Sequence, residues 1–140
     1  MNRHSILRVV AKFMIPYIML FALYVQFHGD FGPGGGFQAG VIFAVGFILY
    51  ALIFGIENGR KVLPAGVNRI LLAGGVLLYA GVGVAGLLLE GNYLDYFVLA
   101  HDPVHGQHLG ILLVELGVGI TVASTMIALF YVFSGQDVRR

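Results

Sequence analysis

Four long apolar segments restrict this chain to a membrane-embedded fold. They cover residues 9–27, 37–56, 70–89 and 109–133. A helix rises about 1.5 Å per residue, so roughly 20 apolar residues cross the approximately 30 Å hydrocarbon core of a bilayer. Glycine, proline and asparagine recur between the segments, as in turns that connect helices. We therefore predict an all-α fold: a polytopic membrane protein with a bundle of four transmembrane helices, in a single membrane domain of residues 1–140.

The composition excludes several classes of protein. With 59% hydrophobic and 11% charged residues, the chain has too little polar surface for a soluble domain of its length. The absence of cysteine excludes disulfides, thiolate metal sites and thiol catalysis. We find no nucleophile–base pair, so we do not expect an enzyme. The net charge of +1 gives no indication of nucleic-acid binding, and we expect no nucleic acid as a partner.

The positive charges predict the orientation of the helices. Lysine and arginine occur only near the N-terminus, in the middle loop and at the C-terminus, as Arg3, Arg8, Lys12, Arg60, Lys61, Arg69, Arg139 and Arg140. The first and third loops carry acidic residues and most of the histidines instead. Because cytoplasmic loops of membrane proteins are enriched in lysine and arginine, both termini are predicted to face the cytoplasm (N-in/C-in).

Glu115 is a carboxylate inside the fourth apolar segment. It lies six residues past Leu109, about 9 Å along a helix. An acidic residue at the centre of a membrane helix costs about 2.5–3.5 kcal/mol on insertion scales, so its side chain normally faces protein or water. One interpretation is a proton or cation relay. The other is an interhelical hydrogen bond, with the carboxyl group protonated or paired with a partner subunit.

Two further polar residues are candidates for an ion path. Lys12 lies about three residues inside the first segment, where a lysine usually extends its amine to the headgroups; the alternative is a buried charged partner. His108 lies just before the fourth segment, where a helix that starts near Gly106 would place it in the first turn.

Three histidines have a spacing that suggests a metal site. His101, His105 and His108 would share one face of a continuous helix. Pro103 and Gly106 argue against such a helix, and spacing alone is a weak signal. We therefore predict no bound metal, and expect a polar, pH-responsive outer loop.

The loop before the second segment is rich in glycine. Its residues Pro33, Gly34, Gly35, Gly36, Phe37 and Gln38 lead into the apolar run. The pattern G-x-G-x-x-A occurs here, but a dinucleotide site needs a preceding strand, so we discard that match. We predict a sharp re-entry into the second helix that leaves amides and carbonyls open to a partner or an ion. Gly36 with Gly40, and Gly106 with Gly110, form G-x-x-x-G faces for close packing.

Two runs of sequence resemble one family. The run HGDFGPGGGFQAG (residues 28–40) and the run GILLVELGVGITV (residues 110–122) resemble the B subunit of the multisubunit (Mrp-type) Na⁺/H⁺ antiporter. A related small subunit occurs in membrane-bound hydrogenases. The resemblance covers essentially the whole chain. It implies a hetero-oligomer with other membrane subunits in a bacterial or archaeal cell membrane, no cofactor, and Na⁺ and H⁺ as the transported ions.

The leading functional hypothesis is an accessory or sodium-path subunit of a multisubunit monovalent cation/proton antiporter. One alternative is a scaffold subunit of an antiporter or hydrogenase-like complex that has no ion path of its own. A third hypothesis is a membrane metal or haem protein that uses the outer histidines. Variants of Glu115 separate the first two hypotheses, and a metal analysis tests the third.

Overall fold

The computed structural model describes residues 3–29, 31–32 and 34–136, without the side chains of Arg3, His4, Pro103 and Gln136. Within these residues the chain forms five α-helices, one 3-10 helix and no strand. The elements are α1 (Arg3–Phe27), α2 (Gly36–Phe54), α3 (Ile56–Val62), α4 (Ala65–Leu88), the 3-10 helix (Tyr96–Leu99) and α5 (Pro103–Gln136). Helices α1, α2, α4 and α5 are long and apolar enough to cross a membrane. The predicted all-α fold with four membrane helices is confirmed.

Helices α2 and α5 form the centre of the bundle. Helix α1 packs against α2, α2 against α5, and α5 against α4, whereas α1 and α4 make few contacts with each other. The buried core lies between the two central helices, where Ala44 and Phe47 meet Ile127 and Tyr131. A gap is therefore left between α1 and α4 on one side of the central pair.

Glycines allow the central helices to approach closely. A Cβ atom built on Gly40 would lie 2.6 Å from the carbonyl oxygen of Gly119, and one built on Gly36 would overlap the carbonyl of Glu115. The G-x-x-x-G face of Gly36 and Gly40 therefore packs directly on α5, as small residues do in membrane helices. On the other side of α5, Gly75 of α4 lies against Thr121 in the same way.

Helix α5 begins earlier than we predicted. The Asp102 side chain accepts a hydrogen bond from the Val104 amide at 3.1 Å, which caps the helix. Pro103 then occupies the first helical position, where a missing N–H group costs nothing. Helix α5 starts three residues before Gly106, so our expectation of a start near Gly106 is wrong. The expectation that no continuous helix carries all three histidines is confirmed, because α5 starts only at Pro103. His105 and His108 lie within α5, and His101 precedes it.

The loop between α4 and α5 (residues 89–102) folds back onto the start of α5. Its 3-10 helix begins at Asp95, whose side chain accepts a hydrogen bond from the Phe97 amide. The ring of Tyr96 contacts Gly110, and a Cβ atom on Gly106 would lie 2.5 Å from the Tyr96 carbonyl oxygen. The second G-x-x-x-G face is thus covered by this loop. Burial raises the pKa of the Tyr96 hydroxyl, and the nearby Tyr79 and Tyr93 raise it further.

The middle loop contains a short helix that we did not predict. Gly55 ends α2 with a φ of 100°, a backbone conformation that favours glycine. Helix α3 follows and turns back toward the bundle, so that Gly59 packs on Ala51. The guanidinium group of Arg60 lies 5.7 Å from the centre of the Tyr131 ring. Arg60, one of the charges predicted to face the cytoplasm, therefore contacts the C-terminal part of α5.

Candidate functional site

Glu115 lies where the turn after α1 and the start of α2 meet α5. It is half-buried. A Cβ atom built on Gly29 would lie 2.5 Å from Oε2 of Glu115, and one built on Gly35 would lie 3.1 Å from Oε1. The carboxyl group thus contacts the backbone on both sides of the glycine-rich turn. We call this end of the bundle, which the predicted orientation places outside the cell, the outer end.

Glycine is required in this turn for two physical reasons. Gly34 and Gly35 have φ values of 150° and 152°, which L side chains rarely adopt. Gly36 has no space for a side chain, because a Cβ atom there would overlap the backbone of Glu115. Backbone conformation thus accounts for the first two glycines, and close packing accounts for the third. The turn enters α2 directly at Gly36.

A pocket opens beside this contact. Its volume is about 430 Å³, and residues 34–38 form one wall while Val114, Glu115 and Val118 form the other. A carboxylate next to non-helical backbone provides hard oxygen ligands of the kind that alkali and alkaline-earth cations prefer. Irregular backbone at membrane depth is tolerated where it lines such a cavity. The geometry is therefore suited to binding a proton or a small cation.

The other residues of the predicted entry motif lie around the same pocket. Phe37 lines the pocket and is 64% exposed. Gln38 is also exposed, and it lines the pocket. Pro33 lies outside the described residues. The exposed Phe37 ring leaves an apolar surface next to Glu115 for lipid or another subunit to cover.

Lys12 lies far from Glu115. Its side chain is exposed, and its ammonium group is 5.8 Å from the centre of the Phe54 ring, at the opposite end of α2 from the pocket. Seventeen residues separate Lys12 from Gly29, roughly 25 Å of helix. The structure places Lys12 at the surface, which favours the headgroup interpretation over a buried charged partner.

The histidines do not converge on one point. His108 is exposed and lies about two helical turns from Glu115 on α5. His105 lies 3.8 Å from the carboxylate of Asp102, and both side chains are largely exposed. Among the described residues, no group of three or more His, Asp or Glu side chains is placed to hold a metal ion.

The comparison with known proteins identifies the family. Residues 6–128 match the domain related to the MnhB subunit of Na⁺/H⁺ antiporters. The chain belongs to the MnhB family. The match includes most of α1, the glycine-rich turn, α2, α4 and the part of α5 that carries Glu115. It therefore covers the residues that build the candidate site.

Individual MnhB relatives agree with this assignment. The chain is 30% identical over 132 residues to a protein of Staphylococcus haemolyticus named "Putative antiporter subunit mnhB2", covering 93% of this chain and 94% of the relative. It is 32% identical over 133 residues to the protein of the same name from Staphylococcus aureus strain Newman, with the same coverage. The likeness therefore extends over nearly the full length of each chain.

Three polar residues inside the MnhB bundle were missed by the sequence analysis. Gln26 and Asn68 are 5% and 2% exposed, and Ser124 is 3% exposed. Nδ2 of Asn68 donates a 2.9 Å hydrogen bond to the carbonyl oxygen of Ser124, and so joins α4 to α5. The sequence did indicate such residues, because burying an amide side chain at the edge of an apolar segment costs free energy unless the amide faces protein.

Proposed function

We propose that this chain is a subunit of a multisubunit monovalent cation/proton antiporter and that Glu115 and the glycine-rich turn form part of its cation route. Membership of the MnhB family supports the first part, because the family description refers to a subunit of Na⁺/H⁺ antiporters. The contact of the Glu115 carboxyl group with Gly29 and Gly35 carries the second part.

The chemistry of the contact suits exchange of one cation for another. A carboxyl group binds either a proton or a metal cation, and antiport requires a site that holds the two ions alternately. Non-helical backbone beside the carboxylate provides additional oxygen atoms, as the unwound segments of transporter helices do for Na⁺. The pocket next to Glu115 gives such an ion access from the outer end. The transported ions are then Na⁺ and H⁺, and no cofactor is needed.

The surface of the bundle supports a role within a larger complex. Large apolar side chains are exposed on every spanning helix, including Phe13 and Leu20 on α1, Leu77 on α4 and Phe133 on α5. In a membrane, lipid and neighbouring helices cover such side chains. We infer that the partners are other membrane subunits of the antiporter, assembled in a bacterial or archaeal cell membrane with both termini of this chain in the cytoplasm.

Replacement of Glu115 tests the proposed route. Glu115→Gln keeps the size and hydrogen bonding of the side chain but removes its charge. We expect the complex to assemble normally and to lose at least about tenfold in Na⁺/H⁺ exchange, while Glu115→Asp retains partial exchange. Exchange is measured with purified complex in proteoliposomes. The matched control is Glu90→Gln, which makes the same chemical change at an exposed residue of the α4–α5 loop.

The same experiment decides between transport and scaffolding. The carbonyl of Glu115 packs on Gly36, so this stretch of α5 also holds the two central helices together. A scaffold role needs that backbone contact but not the carboxylate charge. Unchanged exchange in a normally assembled Glu115→Gln complex would therefore favour the scaffold subunit.

A further inference from the structure

Arg69 lies deeper in the bundle than the other arginine of the middle loop. It is part of α4 and directly follows Asn68, whose side chain donates its hydrogen bond to the carbonyl oxygen of Ser124. Arg69 is therefore close to the level of Ser124 on α5. The guanidinium group of Arg60 lies instead beside the Tyr131 ring, seven residues and about 10.5 Å further along α5.

The surface of α5 beyond the level of Arg69 is apolar toward the inner end of the bundle, which is the end opposite the outer end. Leu129, Val132 and Phe133 are exposed there, and exposed apolar side chains of a spanning helix belong in the hydrocarbon core. Ser124 lies nine residues before Phe133, a rise of about 13.5 Å. Half of the hydrocarbon core is about 15 Å thick. The Cα atom of Arg69 therefore lies near the middle of the membrane.

The guanidinium group of Arg69 is without a partner in the described part of the chain. Its side chain is exposed, and it forms neither an ion pair nor a hydrogen bond with another described residue. An extended arginine side chain reaches about 7 Å from its Cα atom, which leaves the charge several ångströms short of the headgroups. Charges at such a depth pair with opposite charges or face water. The sequence position alone, in a predicted cytoplasmic loop, gave no indication of this depth.

Arg69 also faces away from the rest of the bundle. Asn68 is directed toward α5, and Leu71 lines the pocket that opens between α4 and α1. Arg69 lies about 100° around the helix from Asn68 and about 160° from Leu71. Ala73 and Ala80 follow Arg69 on the same side of α4, at helical spacing. Their small side chains let another helix approach α4 closely beside the charge.

A second copy of this chain does not supply the missing negative charge. Among the four spanning helices that the structure describes, Glu115 is the one acidic residue. It contacts the glycine-rich turn, and it lies nine residues from Ser124, about 13.5 Å toward the outer end. The phosphates of lipids lie in the headgroup layers, at a similar distance from Arg69. A carboxylate on a spanning helix of a different protein meets the requirement.

We propose that the face of α4 with Arg69 and Ala73 is a docking surface for a spanning helix of another subunit, and that this helix carries an aspartate or glutamate at the depth of Arg69. The ion pair fixes the depth at which the two helices meet, because either charge alone is costly in the membrane. The inference rests on the proposed role as an antiporter subunit and adds the chemistry of one partner. It does not depend on the role of Glu115.

Photo-crosslinking in the assembled complex tests the docking surface. A photoreactive benzoylphenylalanine replaces Ala73, one turn from Arg69, and in a control preparation it replaces Gly74, about 100° around the helix. We expect position 73 to attach to a membrane segment of another antiporter subunit, with an aspartate or glutamate within one helical turn of the attachment point. Phospholipid adducts alone, or attachment to a segment without an acidic residue, would overturn the inference while the complex itself stays intact. Purification without any other antiporter subunit would overturn the proposed function as well.

Reversal of the charge tests the ion pair. In Arg69→Glu two negative charges oppose each other, so we expect at least about tenfold less of the crosslinked subunit to co-purify. Lys61→Glu is the matched control, because it changes the charge of the same loop equally at an exposed residue of α3. Replacement of the partner carboxylate by lysine should restore co-purification with Arg69→Glu. Equal yields for Arg69→Glu and Lys61→Glu, or no recovery in the double variant, would overturn the pair. Should Arg69→Glu fail to accumulate, the double variant and the crosslink decide.

Discussion

The hydroxyl group of Tyr131 donates a 2.7 Å hydrogen bond to the carbonyl oxygen of Leu63, 68 residues earlier in the chain. The bond joins the last turns of α5 to the residue that follows α3. The Tyr131 ring also packs edge-on against Phe47, with 6.2 Å between ring centroids. The middle loop is thereby held against both central helices.

Removal of this bond should weaken the bundle without disrupting its core. Tyr131→Phe keeps the ring contact with Phe47 and removes the donor to Leu63. We expect a loss of about 1 kcal/mol in stability, seen as a lower thermal midpoint of the purified complex. The control is Tyr50→Phe, because the Tyr50 hydroxyl makes no hydrogen bond in the described part of the chain. Equal midpoints for the two variants would show that the bond contributes nothing.

Gly36 should not tolerate even one added methyl group. In Gly36→Ala the new Cβ atom overlaps the Glu115 backbone, which cannot rotate away as a side chain does. We expect α2 and α5 to separate at a cost of about 3 kcal/mol or more, with little assembled complex in the membrane. Gly74→Ala on α4 is the control, since its Cβ atom meets nothing within 4 Å. Similar amounts of complex in both variants, measured by affinity purification, would contradict the close packing.

Gly29 offers a way to move the carboxyl group without changing its chemistry. The Cβ atom of Gly29→Ala would press on Oε2 of Glu115, the flexible end of a side chain, so the fold should persist. We expect normal assembly and a roughly tenfold loss of Na⁺/H⁺ exchange, because ion sites depend on position. In the same turn, Gly32→Ala meets only the His28 ring, at 3.3 Å, and is the control. Exchange rates that match between the two would argue against a transport role for this contact.

The absence of cysteine makes the orientation easy to test. Single cysteines are introduced by Glu90→Cys in the α4–α5 loop and Lys61→Cys in the middle loop, both at exposed residues. The positive-inside rule predicts that position 90 reacts with an impermeant maleimide in intact cells, and that position 61 reacts only after permeabilisation. Labelling of position 61 in intact cells would reverse the orientation and place the Glu115 pocket inside.

Hydrophobicity and length were sufficient to predict the membrane helices, because a bilayer requires long apolar segments whatever the partners are. The four predicted segments each lie almost wholly within an observed helix. The predicted ends of the helices were less accurate. The start of α5 depends on the cap formed by Asp102 and Pro103, a local interaction that a search for apolar residues does not detect.

Sequence spacing did not reveal which residues meet. Glu115 and the glycine-rich turn were each recognised as unusual, but only the packing of α2 on α5 shows which glycines touch the carboxyl group. Gln26 and Asn68 were not recognised, because the pocket that both residues line arises from the separation of α1 and α4. Such a separation is a property of the whole bundle and leaves no local pattern.

Helix α5 has 34 residues, roughly 51 Å of helix in a hydrocarbon layer of about 30 Å. Membrane helices tilt by at most about 40°, and at that angle α5 still spans about 39 Å along the membrane normal. Tilt alone therefore does not place the whole of α5 within the hydrocarbon layer. The turns at its ends must lie in the headgroup region or beyond. His105 and His108 make the first turns of α5 polar, and Asp102 directly precedes them, so the outer end of α5 extends into the headgroup region or the water beyond. A neighbouring subunit that binds the outer end of α5 must therefore present two surfaces to this chain: an apolar one within the membrane, and a polar one beside His105 and His108.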